Sequence, residues 1–452
     1  MSAYDPKRTS AVHCGNGFDA GSSPYQSARL NRYDAVSCAW GRVLVMNAVA
    51  SRNIKFVSHS DQGGRGDGVQ VMVHRGYAYI GHAFSNGITV LDVRDPAHPK
   101  PVNFLPCPPN TRALHLQVHD DLMLAVNCPS MWTMQVSERA YFGGSAADTL
   151  KEQKAQYTSG LRVYDISRPE APREISFMPT DGVGPHRIWY VGGRYAYVSI
   201  HFSDFSDHIL AVVDMSDPTK PHVAGKWWLP GMWTGGGETP TWPKGKRFAL
   251  HHALVAGDLA YAAWRDGGFT ILNIADPAHP KLVSYRQYDP PFGGGTHSPL
   301  PLPDRNLAVV ADEPNAANCK LGLRYGWIFD VRVPENPVSI ATLPVPAEAD
   351  YCAKGGNFGI HNLWENRPAA FQSSRYIFAT YYNAGVRVFD IENAFQPREV
   401  AYYVPPDPAR MFDPRPDRPQ VVQSADCFVD RNGLMYLTDS NAGLNILQFE
   451  GA

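Results

Sequence analysis

One strand-and-turn unit recurs six times along this chain. A unit of that size cannot bury its apolar face alone, so it must stack against copies of itself. The copies are TVLDVRDPAHP, LRVYDISRPEAP, LAVVDMSDPTKP, TILNIADPAHP, WIFDVRVPENP and VRVFDIENAFQP. Each runs from alternating β-branched and aromatic residues into an anchor: Asp92, Asp165, Asp214, Asn273, Asp330 or Asp390. A proline follows four residues later and another three beyond that, except that Ala394 takes the first proline's place in the last copy. The alternation reads as a strand. Asp or Asn bonds its own backbone in a turn, and proline presets φ and ends ladder pairing.

Upstream of the anchors lie two further strands with tight turns between them, as in HHALVAGDLAYAAW and DCFVDRNGLMYLTD. A fresh strand follows each turn, such as REISFM. Four short strands per unit is the content of one propeller blade. The spacing from Asp214 to Asn273, or from Asp330 to Asp390, is about 60 residues, longer than the roughly 40–50 of common propeller repeats. Insertions such as Trp132 to Ser159 account for the excess. The seventh unit supplies three strands before the chain stops, and Asn53 to Val57 provides the missing fourth. The expected fold is therefore all-β: a seven-bladed β-propeller over residues 53–452, its last blade closed by an N-terminal strand. Residues 1–52 form a partly irregular extension, and Ser137 to Gln156 reads as the one helical stretch.

These strand–turn runs, with the YAYV-type strand before them, resemble the LVIVD-repeat family of β-propellers. The resemblance spans nearly the whole chain from Asn53 onward. It implies the fold and leaves the activity open, because propellers host unrelated functions.

With 41 Lys and Arg against 43 Asp and Glu, the chain has no basic footprint for nucleic acid. No run of 18 apolar residues predicts a membrane span, and no apolar stretch follows Lys7-Arg8 to make a signal peptide. A cytoplasmic location follows as the default. The seven cysteines, at 14, 38, 107, 128, 319, 352 and 427, include no CxxC pair, so a thiolate zinc site is not expected and most should be free thiols.

Aligned by their first strand, the blades begin at Gln70, His115, His186, His252, His297, His361 and Asp426. Equivalent innermost positions form a ring around the axis, so five histidines, one glutamine and one aspartate should converge at one mouth of the channel. Neutral imidazole is the commonest protein metal ligand. An all-histidine or histidine–carboxylate set suits Fe, Mn, Cu or Zn. His115, His186, His252, His297, His361 and Asp426 are the candidate ligands. His251 should point away from the axis, since neighbours in a strand face opposite sides. His82, Glu238, Asp312 and Glu313 are candidates for acid–base work, with Asp439 a further carboxylate near the ring.

The loop WWLPGMWTGGGETPTWP sets four tryptophans beside three glycines, the make-up of a ligand wall or lid. Gln70, Trp228, Trp233, Trp264 and Tyr381 are the candidate substrate contacts. Together these features point to a metal-dependent oxidoreductase or lyase acting on a small, partly apolar or aromatic molecule, with no nucleic-acid or membrane partner and homo-oligomerisation left open. The competing reading is a non-catalytic scaffold with a structural histidine ring.

Overall fold

The six anchors do what their chemistry dictates. Strands Gly87–Asp92, Gly160–Asp165, Ile209–Asp214, Phe269–Asn273, Gly326–Asp330 and Val386–Asp390 all end on the anchor residue. In every copy its side-chain oxygen accepts from the backbone N–H two residues on, at 2.8–3.1 Å. That local ring turns the chain out of the strand. The pairing with the next strand slips once per copy, between the second-last residue and the last before the anchor: Val90/Leu91, Val163/Tyr164, Val212/Val213, Ile271/Leu272, Ile328/Phe329 and Val388/Phe389. A bulge at one fixed place sharpens the right-handed twist of each unit alike.

The computed structural model describes residues 50–451. Most of the extension at 1–52 lies outside them, as do Cys14 and Cys38. Strand far outweighs helix among the described residues. Antiparallel sheets follow chain order, as in Gly68–His74, Tyr77–His82, Gly87–Asp92 and Lys100–Pro106. Sheets of this kind recur along the chain, and one of eight strands consists of two four-stranded units joined by the single pair Arg265↔Thr296. Ile54–Ser60 pairs antiparallel with Gly443–Phe449, from Ile54↔Phe449 to Ser60↔Leu444. Ala50–Arg52 pairs separately with Arg398–Val404.

Apolar clusters fill the space between sheets; one joins Val71, Tyr79 and Val90 to Phe428, Leu437 and Ile446. The first strands of successive sheets touch side by side: Ser424–Val429 against Gly68–His74, then Leu116–His119, Gly184–Trp189, Phe248–Ala256 and Thr296–Leu302. Asn362 completes the round, accepting from Ser298 Oγ at 3.2 Å and donating to the Ala425 carbonyl at 2.9 Å.

The Ser137–Gln156 stretch holds two short helices, Glu138–Phe142 and Ala146–Glu152, and Tyr351–Lys354 adds another turn of helix. Cys319 and Cys352 are disulfide-bonded; Cys107, Cys128 and Cys427 are free thiols. The bridge closes a loop of 33 residues, which on chain entropy stabilises the fold by about 3–4 kcal/mol. Replacing both cysteines by alanine is expected to lower the unfolding free energy by that amount in chemical denaturation. A change below about 1 kcal/mol would mean that the loop is held by its other contacts.

Candidate metal centre

The position of the histidines is set by a second family of bulges. The first strand of a unit pairs with the second, but the ladder skips residues between Gly68 and Val71, Pro185 and Ile188, Phe248 and His252, Thr296 and Ser298, and Ser424 and Cys427. Residues in a bulge are released from strict alternation and can be re-aimed. Beyond each bulge the register is regular again. Val71, Leu116, Ile188, Ala253, Pro299, Leu363 and Cys427 each face the fourth residue of the neighbouring strand. They are the equivalent positions.

Two residues earlier stand Val69, Leu114, His186, His251, His297, His361 and Ala425. One residue earlier stand Gln70, His115, Arg187, His252, Ser298, Asn362 and Asp426. The ladder thus differs by one residue from the alignment that makes His115 and His252 equivalents of the other three. His251, expected to point away, is the true counterpart of His186, His297 and His361, because it sits inside the bulge while His252 has rejoined the ladder opposite Ala263.

The rings form a continuous row. Centroids are 5.0 Å apart for His115–His186, 4.8 Å for His186–His251, 3.4 Å for stacked His251–His297 and 4.6 Å for His297–His361, with Tyr382 stacked on His361 at 4.4 Å. Two groups among the described residues bring donor atoms within 4.8 Å of one another: His115, His186 and His251, and His297, Glu313 and His361.

Hydrogen bonding separates the two groups. His361 Nδ1 donates to the Ala425 carbonyl and His251 Nδ1 to the His297 carbonyl, each at 2.7 Å. His297 Nδ1 donates to Ser298 Oγ at 3.0 Å, since that hydroxyl's own proton goes to Asn362. A neutral imidazole that donates through Nδ1 carries its lone pair on Nε2, the form in which a metal is bound. His115 is fixed the other way. Arg187 has only protons to give and lies 2.9 Å from His115 Nδ1, which leaves Nε2 protonated.

Glu313 completes the competent group. Its oxygens lie 3.5 Å from His297 Nε2 and 3.7 Å from His361 Nε2, and it accepts from Tyr382 at 2.5 Å and from Arg265. Burial alone would raise its pKa, but Arg265, His361 and Tyr382 hold it below the usual range, so it stays a carboxylate. Burial pushes His115, His186, His251, His252 and His297 well below their usual pKa, and His361 down to about 4. All six are neutral at pH 7.

His252 turns toward a different centre. Its Nε2 is 3.8 Å from Glu365 Oε1. Arg187 donates to the same carboxylate at 3.2 Å, Gln117 at 3.1 Å and Gln70 at 3.5 Å, while Arg367 lies 3.8 Å away. Asp426 accepts from Val71 N–H at 3.4 Å, and burial raises its pKa to about 7. Neither His252 nor Asp426 belongs to the two donor groups.

The other expected residues are placed apart from the histidine row. His82 is locked between Asp67 at 3.2 Å and Thr89 at 2.8 Å. Asp312 accepts from Trp327 at 2.6 Å and Tyr288 at 3.2 Å, and burial raises its pKa to about 7. Asp439 accepts the backbone N–H groups of Gln423, Asn441 and Ala442. Glu238 ties its own loop together, accepting from Trp228, Gly231 and Trp233. Trp228 and Trp233 pack on each other, Trp264 is buried and donates to Thr270, and Tyr381 packs on Phe389. The tryptophan loop folds on its own aromatics because its one carboxylate gathers three N–H donors.

The histidine row lines a cavity of about 160 Å³. Its other walls are Arg112, Trp132, Tyr141, Phe142 and Arg265, with Met411, Arg415 and Arg418 from the proline-rich loop. Arg112, Arg187, Arg265, Glu365 and Tyr382 are the residues that sequence reasoning missed. One signal was available for the histidines. Counting back from the two-residue turns after His74, His119 and Ala256 aligns Gln70, His115 and His252 with one another, not with His186.

The LVIVD repeat family matches residues 65–103, 187–227 and 253–286. No curated protein sequence matches. Among solved structures, a putative 6-phosphogluconolactonase from Bacteroides fragilis is 9% identical, with 81% of this chain and 98% of that one covered at a TM-score of 0.51. The β-propeller domain of Myceliophteria thermophila Cps50 (Swd1) is 10% identical over 87% and 99%, TM-score 0.51. Saccharomyces cerevisiae Sqt1 is 9% identical over 88% and 99%, again at 0.51. At such identities the likeness shows the fold alone. The chain thus carries LVIVD repeats at three places and has a propeller-like all-β fold.

Proposed function

We propose that this chain is a seven-unit propeller whose axis carries a metal centre, and that it performs metal-dependent oxidoreductase or lyase chemistry on a small, partly apolar molecule admitted to the adjoining cavity. Seven units follow if the eight-stranded sheet is counted as the two four-stranded units that one residue pair joins. The observation that carries the metal reading is the hydrogen bonding of His297 and His361. Both present Nε2 lone pairs beside the Glu313 carboxylate. Two histidines and one carboxylate with remaining positions open suit Fe(II) first, and Mn(II) or Zn(II) next. Such an ion polarises a bound oxygen or activates small molecules at its open positions. The chain's part is to fix the ligands, exclude water and hold substrate against the centre. The Cys319–Cys352 bridge weighs against a cytoplasmic setting, where thiols are kept reduced.

The test is metal content. Protein reconstituted anaerobically with Fe(II), Mn(II), Cu(II) or Zn(II) in turn and then desalted should retain about one ion per chain for one of them. His361→Ala and Glu313→Gln should each reduce retention about 10-fold or more, while His115→Ala should leave it near the wild-type value. If no ion is retained, the histidine row is structural and the enzyme reading fails.

A further inference from the structure

The cavity beside the histidine row contains a buried cation that has no counter-charge among the described residues. Arg112 lies on the short strand Thr111–Arg112, which pairs with Pro129 and Cys128. It is 3% exposed, its Nε has no hydrogen-bond partner, and no carboxylate among the described residues pairs with it. The other arginines of the same wall are all matched: Arg265 with Glu313, Arg415 with Asp413 and Glu138, Arg418 with Glu138. An uncompensated buried charge costs several kcal/mol, so a guanidinium held this way is suited to an anion that arrives from outside.

The surroundings narrow the class of anion. Trp132 lies over Arg112 at 5.8 Å and over Arg415 at 4.4 Å, and Tyr141 meets Trp132 edge-on at 5.2 Å. The walls are therefore aromatic next to the cation. A volume of about 160 Å³ is close to that of apolar cavities that take up benzene. That volume suits a ligand of about one ring.

We propose that the cavity binds a small carboxylate of about one ring in size, its carboxylate held by the Arg112 fork and its body between Trp132 and the histidine row. Guanidinium matches carboxylate in plane and in spacing, which gives two parallel bonds and fixes the orientation of the ligand. The proposal deepens the metal reading and rests on it for any chemistry, since it supplies the substrate class for that site. Binding itself requires no metal.

Benzoate and its uncharged analogue benzyl alcohol are the probes, titrated calorimetrically into metal-free and metal-loaded protein. Benzoate should bind both forms, and more tightly than benzyl alcohol. Arg112→Met should weaken benzoate about 10-fold or more and leave benzyl alcohol unchanged; Arg112→Lys should recover part of the loss. Benzoate binding that ignores Arg112→Met, or that only equals benzyl alcohol, overturns the proposal, as does the absence of benzoate binding. Should the Met variant fail to fold, the Lys variant and the comparison of the two probes on unaltered protein still decide. Metal content measured on the same samples separates the two readings. Arg112-dependent benzoate binding in a protein that retains no metal sinks the metal centre alone; a metal-loaded protein with Arg112-independent binding sinks this inference alone.

Discussion

Glu365→Gln is expected to lower the unfolding free energy by about 3–5 kcal/mol, the cost of leaving buried charge without its partner. Glu365 is 6% exposed and gathers Arg187, Gln117, Gln70 and Arg367 from three other first strands and its own segment. The glutamine is the same size, so no cavity forms. What changes is that Arg187 and Arg367, both buried, lose the carboxylate that they share. Differential scanning calorimetry would read the change as a large drop in unfolding temperature. A drop worth less than about 1 kcal/mol would show that water or the glutamine carbonyl satisfies both guanidinium groups.

Acid should unfold the metal-free protein well before ordinary carboxylates are protonated. Six histidines around the axis have folded-state pKa values pushed down by burial, His361 to about 4. Arg187 and Arg265 add repulsion, while Glu313 opposes it at His361. In the unfolded chain each titrates near 6.5. Between there and the folded value the unfolded state binds more protons, so stability is full above about pH 6.5 and falls as pH drops through that window. Each group contributes up to about 1.4 kcal/mol per pH unit. Asp312 and Asp426, raised to about 7, and Asp439, raised to about 6, act in the opposite sense by holding protons in the fold. The histidines outnumber these three carboxyls, so the net effect of acidification below about pH 6.5 is a loss of stability. Unfolding temperature followed from pH 8 to pH 4 tests the sign; a flat or rising profile on acidification contradicts it. Metal bound at His297, Glu313 and His361 would move the transition to lower pH, because protons and metal compete for the same Nε2 atoms.

The repeat was legible because its signal is consecutive. Asp, the proline four residues on and the strand before them lie within one short window, and the turn they build is local. The pairing of Ile54–Ser60 with the last strand was legible for another reason: a unit with three strands and a lone strand elsewhere have one natural solution. The histidine row was legible in kind and misplaced by one residue. Alternation fixes which side a residue faces only while the ladder is unbroken, and the ladder breaks just before His252. The partners of Glu365 were not legible at all. Arg187, Gln117 and Gln70 lie 178, 248 and 295 residues away in sequence, and nothing local distinguishes them from surface residues. The Cys319–Cys352 bridge was hidden in the same way, because its two cysteines sit in short helical turns whose approach depends on the strands Gly326–Asp330 and Val338–Thr342 between them.

The antiparallel pair formed by Ile54–Ser60 and Gly443–Phe449 has a consequence for the timing of folding in the cell. The earlier strand emerges from the ribosome with its partner still unmade, and at 5–20 residues per second the wait is roughly 20–80 s. During that interval the nascent chain presents an unpaired strand edge. Orientation of His361 therefore waits for the strand Ser424–Val429, whose Ala425 carbonyl accepts its Nδ1 proton.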